Sequence, residues 1–395
     1  MVRALVAFVL IASLAPSDAA AARFLGDEGE GRTFTTPPIL KPNVRLWTRV
    51  YGEHDSWTKL YYDTQHLDIL LGTLDLRPFM GDGGKKTKAI EAERHRIRAA
   101  LRRLAAGKRT KLSNLESRLL KAYSGRRNLL RGAEKRVGAY AGLRDRFGLG
   151  LQRLARYRPY VDEVLRRHQM PEALVALAMI ESLFNPTAKS HAGAYGCWQF
   201  LKGTGKEYLH INSVIDERRD PIISTDGAAR MLRGNIKRLK KWPLALTGYN
   251  YGPNGMARAA REIGSFDLAK ILTRWIAKRF KFSSRNYYAS FLAGLHVIRN
   301  QEKYFPTLHL PKPVRFATVA LPASAPLRGI AKHCRVPVKA IAELNLGLTP
   351  AALQSKVKLP QGFPLRVPTR AARSCRRSFH RVAGAVRSPP ATRWK

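Results

Sequence analysis

The sequence predicts a mainly α-helical protein with a small α/β module near its C-terminus. The stretch 173–180 is apolar on every side, which is typical of a buried helix. Between residues 85 and 165, apolar residues recur at helical spacing on a very basic background. After about residue 312 the pattern changes to strand, helix, helix, strand. A chain of 395 residues is long enough for two or three domains.

The first 22 residues have the features of a secretory signal peptide. Arg3 precedes an apolar run that is too short to span a bilayer, and small residues follow at 20–22. No cysteine lies directly after the apolar run. We therefore expect an exported protein of the periplasm or cell envelope without a lipid anchor.

One carboxylate, Glu181, lies at the end of the apolar stretch and shares a helix face with Leu174 and Leu177. Burial disfavours the charged form of a carboxyl group and raises its pKa. Such a group is still protonated near neutral pH and can act as a general acid. The alternative is a structural glutamate at a helix end, paired with an arginine or capping a loop.

Two glycine-containing motifs follow Glu181. In "SHAGAYGCWQF" (190–200), glycines lie close to Trp198 and Gln199, and glycine allows a backbone to approach a ligand. In "WPLALTGYNYGPNG" (242–255), polar side chains end an apolar helix before a Gly-Pro turn. Two buried helices that end in polar side chains predict a cleft. Ordinary loops in a helical core are the alternative.

These motifs, together with "ESLFNPTAK" (181–189) and "DERRDP" (216–221), resemble the catalytic domain of lytic murein transglycosylases. The nearest group is the membrane-bound lytic murein transglycosylase D family. The resemblance runs from about Tyr157 to about Asn300 and implies a goose-type-lysozyme-like helical fold of glycoside hydrolase family 23. The segment 39–56 also resembles the part that precedes this domain in related proteins.

The resemblance implies that Glu181 is the catalytic general acid. It also implies that the hydroxyl of Tyr249 and the amide of Asn250 hold the acid and the sugar. The full set of substrate-binding residues that it implies is Ser190, Gln199, Phe200, Tyr249, Asn250 and Tyr287. The departures from the family pattern are Cys197, Tyr251 and Asn254, which alter the groove and leave the acid in place.

The implied reaction is non-hydrolytic cleavage of the β-1,4 bond between N-acetylmuramic acid and N-acetylglucosamine in peptidoglycan. Glu181 would protonate the leaving oxygen and then accept the proton of the attacking C6 hydroxyl, which gives a 1,6-anhydro end. Hydrolytic glycosidases usually need two carboxylates. The alternatives are a hydrolytic muramidase, if an acid of segment 216–226 reaches the site, and a non-catalytic peptidoglycan-binding protein. We expect no cofactor and no metal.

The expected domain boundaries follow the changes in pattern. They are a signal peptide (1–22), a partly loose preface (23–84), a basic helical region (85–158), the catalytic domain (159–311), a LysM-like module (312–369) and a basic disordered tail (370–395). The module resembles a degenerate LysM domain through "LRGIAKHCRV", "IAELN" and "LPQGFPLRVP". Such a module implies glycan binding, and the alternative is a lobe that braces the catalytic domain.

The net charge of +43 indicates anionic partners or surfaces. No nucleic-acid-binding module is found in the sequence, and export argues against a nucleic-acid partner. We expect peptidoglycan glycan strands as the main partner and anionic cell-envelope surfaces as a second one. Segment 85–158, with 23 lysines and arginines against 5 acids, is the candidate for the second contact. A solvated arginine-rich surface without any partner is the alternative.

The three cysteines have a spacing that fits no metal site. We expect Cys197 to be a small buried apolar residue. Cys334 and Cys375 are a candidate disulfide pair in an oxidising compartment.

Overall fold

The computed structural model describes residues 33–383. The predicted signal peptide and residues 384–395 lie outside this range. The described part is mainly helical, as predicted, and it contains a three-stranded and a two-stranded antiparallel sheet. Within 33–383, none of the helices combines the length and the apolar character needed to cross a bilayer.

Residues 58–141 form a small α/β lobe with its own apolar core. Its elements are β1 (Thr58–Asp63), β2 (Leu70–Asp75), α2 (Gly83–Ala105), α3 (Asn114–Ala122) and β3 (Val137–Ala141). The strand order is β2-β1-β3, so β1 pairs on one side with a strand from far along the chain. Ile97 and Leu101 of α2 pack with Tyr123 in this core.

The expected division at 84/85 is therefore wrong, because it cuts through this lobe. Strands from the expected loose preface pair with a strand from the expected basic helical region. The basic region is accordingly not a separate helical pair. Pairing between distant strands depends on tertiary context more than on the propensity of either strand, so the local sequence gives little sign of it.

The helical unit around Glu181 combines an N-terminal helix with residues 144–304. Its helices are α1 (Lys41–Thr48), α4 (Arg144–Arg167), α5 (Val175–Ser182), α6 (Lys202–Tyr208), α7 (Pro221–Leu239), α8 (Trp242–Tyr251), α9 (Pro253–Ile263), α10 (Leu268–Arg274), α11 (Phe282–Arg299) and α12 (Gln301–Tyr304). Trp47 and Tyr51 lie in the core of this unit, so the segment around α1 is not loose. Helix α4 also runs across the expected boundary at 158/159.

The C-terminal module has the predicted strand, helix, helix, strand order, with one additional short helix. Its elements are β4 (Ala317–Ala320), α13 (Leu327–Cys334), α14 (Val338–Ala342), α15 (Pro350–Leu353) and β5 (Pro364–Val367). The module contacts the loop before α7. The Asp216 backbone N–H donates to the Gly347 carbonyl over 2.7 Å, and Arg366 forms a salt bridge with Asp220 at 2.5 Å.

The expected disordered tail is wrong for its first part. Residues Ala372–Ala383 form helix α16, and Cys375 on this helix forms a disulfide with Cys334. Ala371, Cys375 and Phe379 are buried at a spacing of four residues, which makes one apolar face. This apolar face is narrow and lies within a basic segment, so the composition alone suggests disorder. The helix becomes stable only when this face packs on the module.

Candidate functional site

Helix α5 carries Glu181 at its last turn. The first five residues of α5, 175–179, are buried because they are apolar and pack in the main core. The helix ends when Leu183 and Phe184 adopt left-handed backbone conformations, with φ of 54° and 49°. Such conformations cost energy in residues other than glycine and are often found at functional sites. The end of α5 thus leaves Glu181 at the edge of the core.

The environment of Glu181 gives it the properties of a general acid. Its side chain is only partly exposed, and the Tyr287 hydroxyl donates a hydrogen bond to its Oε1. Burial raises the pKa of Glu181 to about 7, although the hydrogen bond from Tyr287 acts in the opposite direction. Burial therefore dominates, and a large fraction of Glu181 is protonated at neutral pH. The structural alternative of a glutamate paired with an arginine finds no support in the described residues, where no arginine affects the pKa of Glu181.

Close packing between α11 and α5 brings Tyr287 to the acid. Gly294 on α11 lies against Ile180, the residue before Glu181, and a Cβ atom at Gly294 would lie 2.9 Å from Ile180 Cγ2. Only a residue without a side chain allows this approach. Tyr287 lies about two turns earlier on the same helix. The glycine thus sets the distance between the tyrosine and the acid.

A third tyrosine near the acid, Tyr51, was not predicted. Its hydroxyl shares a hydrogen bond of 2.6 Å with Ser290 Oγ on α11. Burial raises the pKa of Tyr51, and the charge of Glu181 adds to the increase. Segment 39–56 resembles the part that precedes this domain in related proteins, but no local sequence feature indicates that Tyr51 is functional. Tyr51 lies just after α1 in the apolar core, where a tyrosine usually has only a packing role.

The structure corrects the expected role of the Tyr249 hydroxyl. This hydroxyl donates to the Trp198 carbonyl oxygen over 2.8 Å, whereas the hydrogen bond to the acid comes from Tyr287. Tyr249 is still near the acid, because the charge of Glu181 contributes to its raised pKa. Asn250 is exposed, and its side-chain oxygen accepts from Ser284 Oγ over 2.7 Å.

The loop 188–200 follows α5 and is held by its own hydrogen bonds. Ser190 Oγ accepts from the Ala194 backbone N–H over 3.0 Å. The Gln199 side-chain amide donates to the Gly196 carbonyl over 2.9 Å, and Gln199 itself has a φ of 49°. Phe200 is buried with 3% exposure, so its ring lies in the core and not on the open groove. Ser190 and Gln199 are partly exposed.

Gly196 docks this loop against the segment 216–221. A Cβ atom at Gly196 would lie 1.7 Å from the Arg218 carbonyl oxygen, which no side chain can tolerate. Arg218 in turn donates to the Phe200 carbonyl over 3.2 Å. Arg218 is itself buried and binds both carboxylate oxygens of Asp216, at 2.9 and 2.7 Å. The motif around 216–221 therefore has a structural role.

The other acids of segment 216–226 are also bound to basic side chains. Glu217 Oε2 lies 3.1 Å from His210 Nδ1. Asp220 caps α7 and binds Arg366, and Asp226 binds His168 at 2.6 Å. Within 33–383, no acid contributes to the shifted pKa of Glu181. The acids of segment 216–226, on which the hydrolytic alternative depends, are thus all engaged by other side chains.

The fold and the site agree with a known class of domain. Residues 162–272 match the family model described as "Transglycosylase SLT domain". This part of the chain therefore matches a transglycosylase SLT domain, which confirms the resemblance carried by the motifs. The match begins inside α4 and ends inside α10, so Tyr51 and Tyr287 lie outside it. It covers no part of the C-terminal module, whose LysM-like character stays a prediction.

Among individual proteins, the chain is similar to membrane-bound lytic murein transglycosylase D from Escherichia coli (strain K12). The identity is 30% over 182 residues, which cover 42% of this chain and 39% of that protein. It is also similar to membrane-bound lytic murein transglycosylase F from Shewanella loihica, with 30% identity over 152 residues, 34% of this chain and 30% of that protein. The chain thus spans less than half the length of either relative.

Among solved structures, the chain is similar to the 70 kDa soluble lytic transglycosylase from Escherichia coli. The TM-score is 0.32 with 17% sequence identity, over 58% of this chain and 37% of that chain. An overlap of this extent supports no conclusion about the fold.

Proposed function

We propose that this protein is a peptidoglycan lytic transglycosylase. It cleaves the β-1,4 bond between N-acetylmuramic acid and N-acetylglucosamine without water and leaves a 1,6-anhydro end. The observation that carries the proposal is one partly buried carboxylate, Glu181, with a pKa of about 7 inside a transglycosylase SLT domain. The names of the similar proteins support the choice of peptidoglycan as substrate.

Glu181 acts first as an acid and then as a base. In the first step its proton moves to the glycosidic oxygen, and the bond from that oxygen to the anomeric carbon of the N-acetylmuramic acid breaks. In the second step the C6 hydroxyl of the same sugar bonds to the anomeric carbon, and its proton returns to Glu181. One group can serve both steps when its pKa lies close to the working pH, and a value of about 7 meets this condition.

The arrangement of acids favours this reaction over hydrolysis. Hydrolytic glycosidases usually use two carboxylates that flank the bond. In the described part of the chain, Asp216, Glu217, Asp220 and Asp226 are bound to arginine or histidine side chains. In the transglycosylase reaction the nucleophile is part of the substrate, so a single carboxylate is sufficient.

The remaining site residues serve substrate binding in this proposal. Tyr287 orients Glu181 through its hydrogen bond, and Tyr249 holds the loop carbonyl of Trp198. Ser190, Gln199 and Asn250 are polar and at least partly exposed, so they are available for the sugar. Phe200 has an indirect role in this proposal, because its buried ring packs edge-on against Tyr249 and supports it, with the ring centroids 6.4 Å apart.

Location and further partners belong to the same proposal. Peptidoglycan glycan strands are the main partner, and export to the periplasm or cell envelope brings the protein to them. The basic segment 85–158 contacts anionic surfaces of the envelope. This is supported by exposed cations on α2, such as Lys88 and Arg102.

The test is mass spectrometry of the fragments that the purified protein releases from peptidoglycan. We expect 1,6-anhydro ends from the wild-type protein and none from Glu181→Gln. Reducing ends would show hydrolysis and overturn the mechanism. Absence of any release by a folded wild-type protein would favour the non-catalytic binding protein.

A further inference from the structure

A pocket between the α/β lobe and the helical unit has no role in the reaction described above. It has a volume of about 350 Å³ and is lined by parts of the chain that are distant in sequence. Asn43 comes from α1, Thr64 and Gln65 come from the turn after β1, and Arg285 and Asn286 come from the first turn of α11. Small-molecule sites occur preferentially between domains and have volumes of this order.

Arg285 is the only charged residue among those that line the pocket. Its guanidinium group donates to the Leu272 carbonyl oxygen and lies 5.5 Å from the centre of the Phe280 ring. Partial burial lowers the pKa of Arg285, and no acid in the described residues acts against this effect. A guanidinium group has five N–H donors, so donors of Arg285 remain for a ligand.

The other walls of the pocket indicate what kind of ligand fits. Leu40, Leu67 and Leu272 supply apolar surface, while Thr64 and Gln65 supply exposed polar groups at the rim. An arginine fork binds a carboxylate through two parallel hydrogen bonds. The lining therefore matches a short peptide that has small apolar side chains and a free carboxylate.

We propose that this pocket binds a carboxylate of the peptide stem that branches from peptidoglycan glycan strands. The proposal rests on the proposed function, because it assigns a second contact to the same substrate. Arg285 and Asn286 immediately precede Tyr287, whose hydroxyl binds Glu181. Ser284, the residue before Arg285, donates to the side-chain oxygen of the exposed Asn250 over 2.7 Å, so the start of α11 borders the proposed groove. Four extended residues span about 14 Å, which exceeds the length of two helical turns.

The first experiment measures binding of an isolated stem tetrapeptide by calorimetry. The same peptide with all carboxylates amidated is the second probe. We expect the wild-type protein to bind the free acid at least about tenfold more tightly than the amidated form, since an arginine–carboxylate pair is roughly twice as strong as a neutral hydrogen bond. Equal binding of the two peptides would overturn the proposal. This comparison needs neither a variant nor catalytic turnover, so it is independent of the proposed function.

The second experiment compares glycan strands that carry stems with strands from which an amidase has removed them. The measured quantity is the ratio of kcat/KM on the two substrates. Arg285→Gln should lower this ratio about tenfold, mainly through KM. Arg279→Gln is the matched control, because Arg279 is a nearby exposed arginine that does not line the pocket. An unchanged ratio in folded Arg285→Gln would overturn the proposal, whereas absence of cleavage by the wild type would instead contradict the proposed function.

Discussion

The chemistry of the site depends on how one residue is surrounded. Glu181 has a pKa of about 7 because burial raises it more than the Tyr287 hydrogen bond lowers it. Tyr51 and Tyr249 lie near enough for the charge of Glu181 to affect their own pKa values. Their hydroxyls are bound to Ser290 and to the Trp198 carbonyl. Among these three tyrosines, Tyr287 thus provides the direct contact with the acid.

Glu181→Gln should abolish cleavage and change the pH dependence of stability. A general acid contributes about 100-fold to 10,000-fold to the rate. The folded-state pKa is raised from 4.5 to about 7, so the contribution of Glu181 to stability is full below pH 4.5 and is lost as pH rises through 7. Glutamine does not titrate. The free energy of unfolding in urea, taken as the variant minus the wild type, should therefore increase by about 2 kcal/mol between pH 5 and pH 8.

The comparison isolates Glu181, because all other titrating groups are common to both proteins. A difference in stability that does not vary with pH would contradict the raised pKa. Full activity of a folded Glu181→Gln would contradict its role as the acid.

Tyr287→Phe should move the pH profile of activity. The hydrogen bond from Tyr287 lowers the pKa of Glu181, so its removal should raise that pKa further. The protonated acid is the active form in the first step. The fall of kcat/KM on the alkaline side should therefore shift to higher pH, together with a lower maximum.

Tyr249→Phe is the matched control for this shift, because its hydroxyl binds a backbone carbonyl and not the acid. We expect it to leave the alkaline limb in place. If both variants had the wild-type profile, the contact between Tyr287 and Glu181 would not control the acid.

At the scale of elements, glycines determine how closely the parts of the site approach one another. Gly294 allows α11 to contact α5, and Gly196 allows the loop 188–200 to contact the Arg218 carbonyl. Gly193 in the same loop also has a φ of 80°, but a Cβ atom there would meet open space. Substitutions at these two glycines therefore distinguish the free-energy cost of backbone strain, which both share, from that of a steric clash, which only Gly196 has.

Gly196→Ala should destabilise the protein considerably more than Gly193→Ala. Both changes place a side chain on a left-handed backbone, which costs about 1–2 kcal/mol. Only Gly196→Ala also forces the loop away from the Arg218 carbonyl, so we expect at least about 2 kcal/mol in addition. Urea unfolding measures both variants. Similar losses in the two variants would show that the loop relaxes without displacing the segment 216–221.

At the scale of the whole molecule, the helical unit has neighbours on both sides. The α/β lobe contributes Tyr62, whose ring stacks on Phe282 at the start of α11 with the centroids 6.3 Å apart. The C-terminal module is joined through the salt bridge from Arg366 to Asp220, which also caps α7. These contacts support the alternative in which the module braces the catalytic domain.

Binding to intact peptidoglycan sacculi should depend steeply on salt, while cleavage of short soluble fragments should not. Exposed charges are screened beyond about 8 Å at physiological ionic strength. In the proposed function, the sugar is held in the groove by hydrogen bonds and packing, which salt affects less. Two salt titrations test this, one of sedimentation with sacculi and one of turnover on a soluble fragment. If the two decrease together, the basic segment is not a separate anchor.

A matched pair of variants locates the effect. Replacing Lys85, Lys88 and Arg102 by glutamine removes three exposed charges from α2. Replacing the exposed residues Lys332, Lys339 and Lys356 removes the same charge from the C-terminal module. Only the first variant should show weaker salt dependence of sacculus binding.

Features that depend on short segments could be predicted from the sequence. The apolar run before Glu181 predicts a buried helix with one acid at its end, and the adjacent motifs identify the class of domain. The mainly helical architecture and the element order of the C-terminal module were predicted for the same reason. Each follows from spacing along one element, because helix and strand periodicities are local properties of the chain.

The three-dimensional structure was needed to show which tyrosine contacts the acid, that Tyr51 lies beside it, and that segments 58–75 and 137–141 form one sheet. The sequence favoured Tyr249 for the contact with Glu181, but the close approach of α11 at Gly294 gives it to Tyr287. Which side chains meet depends on how distant elements pack. That packing results from many weak contacts over the whole core, so it cannot be predicted from any short segment of the sequence.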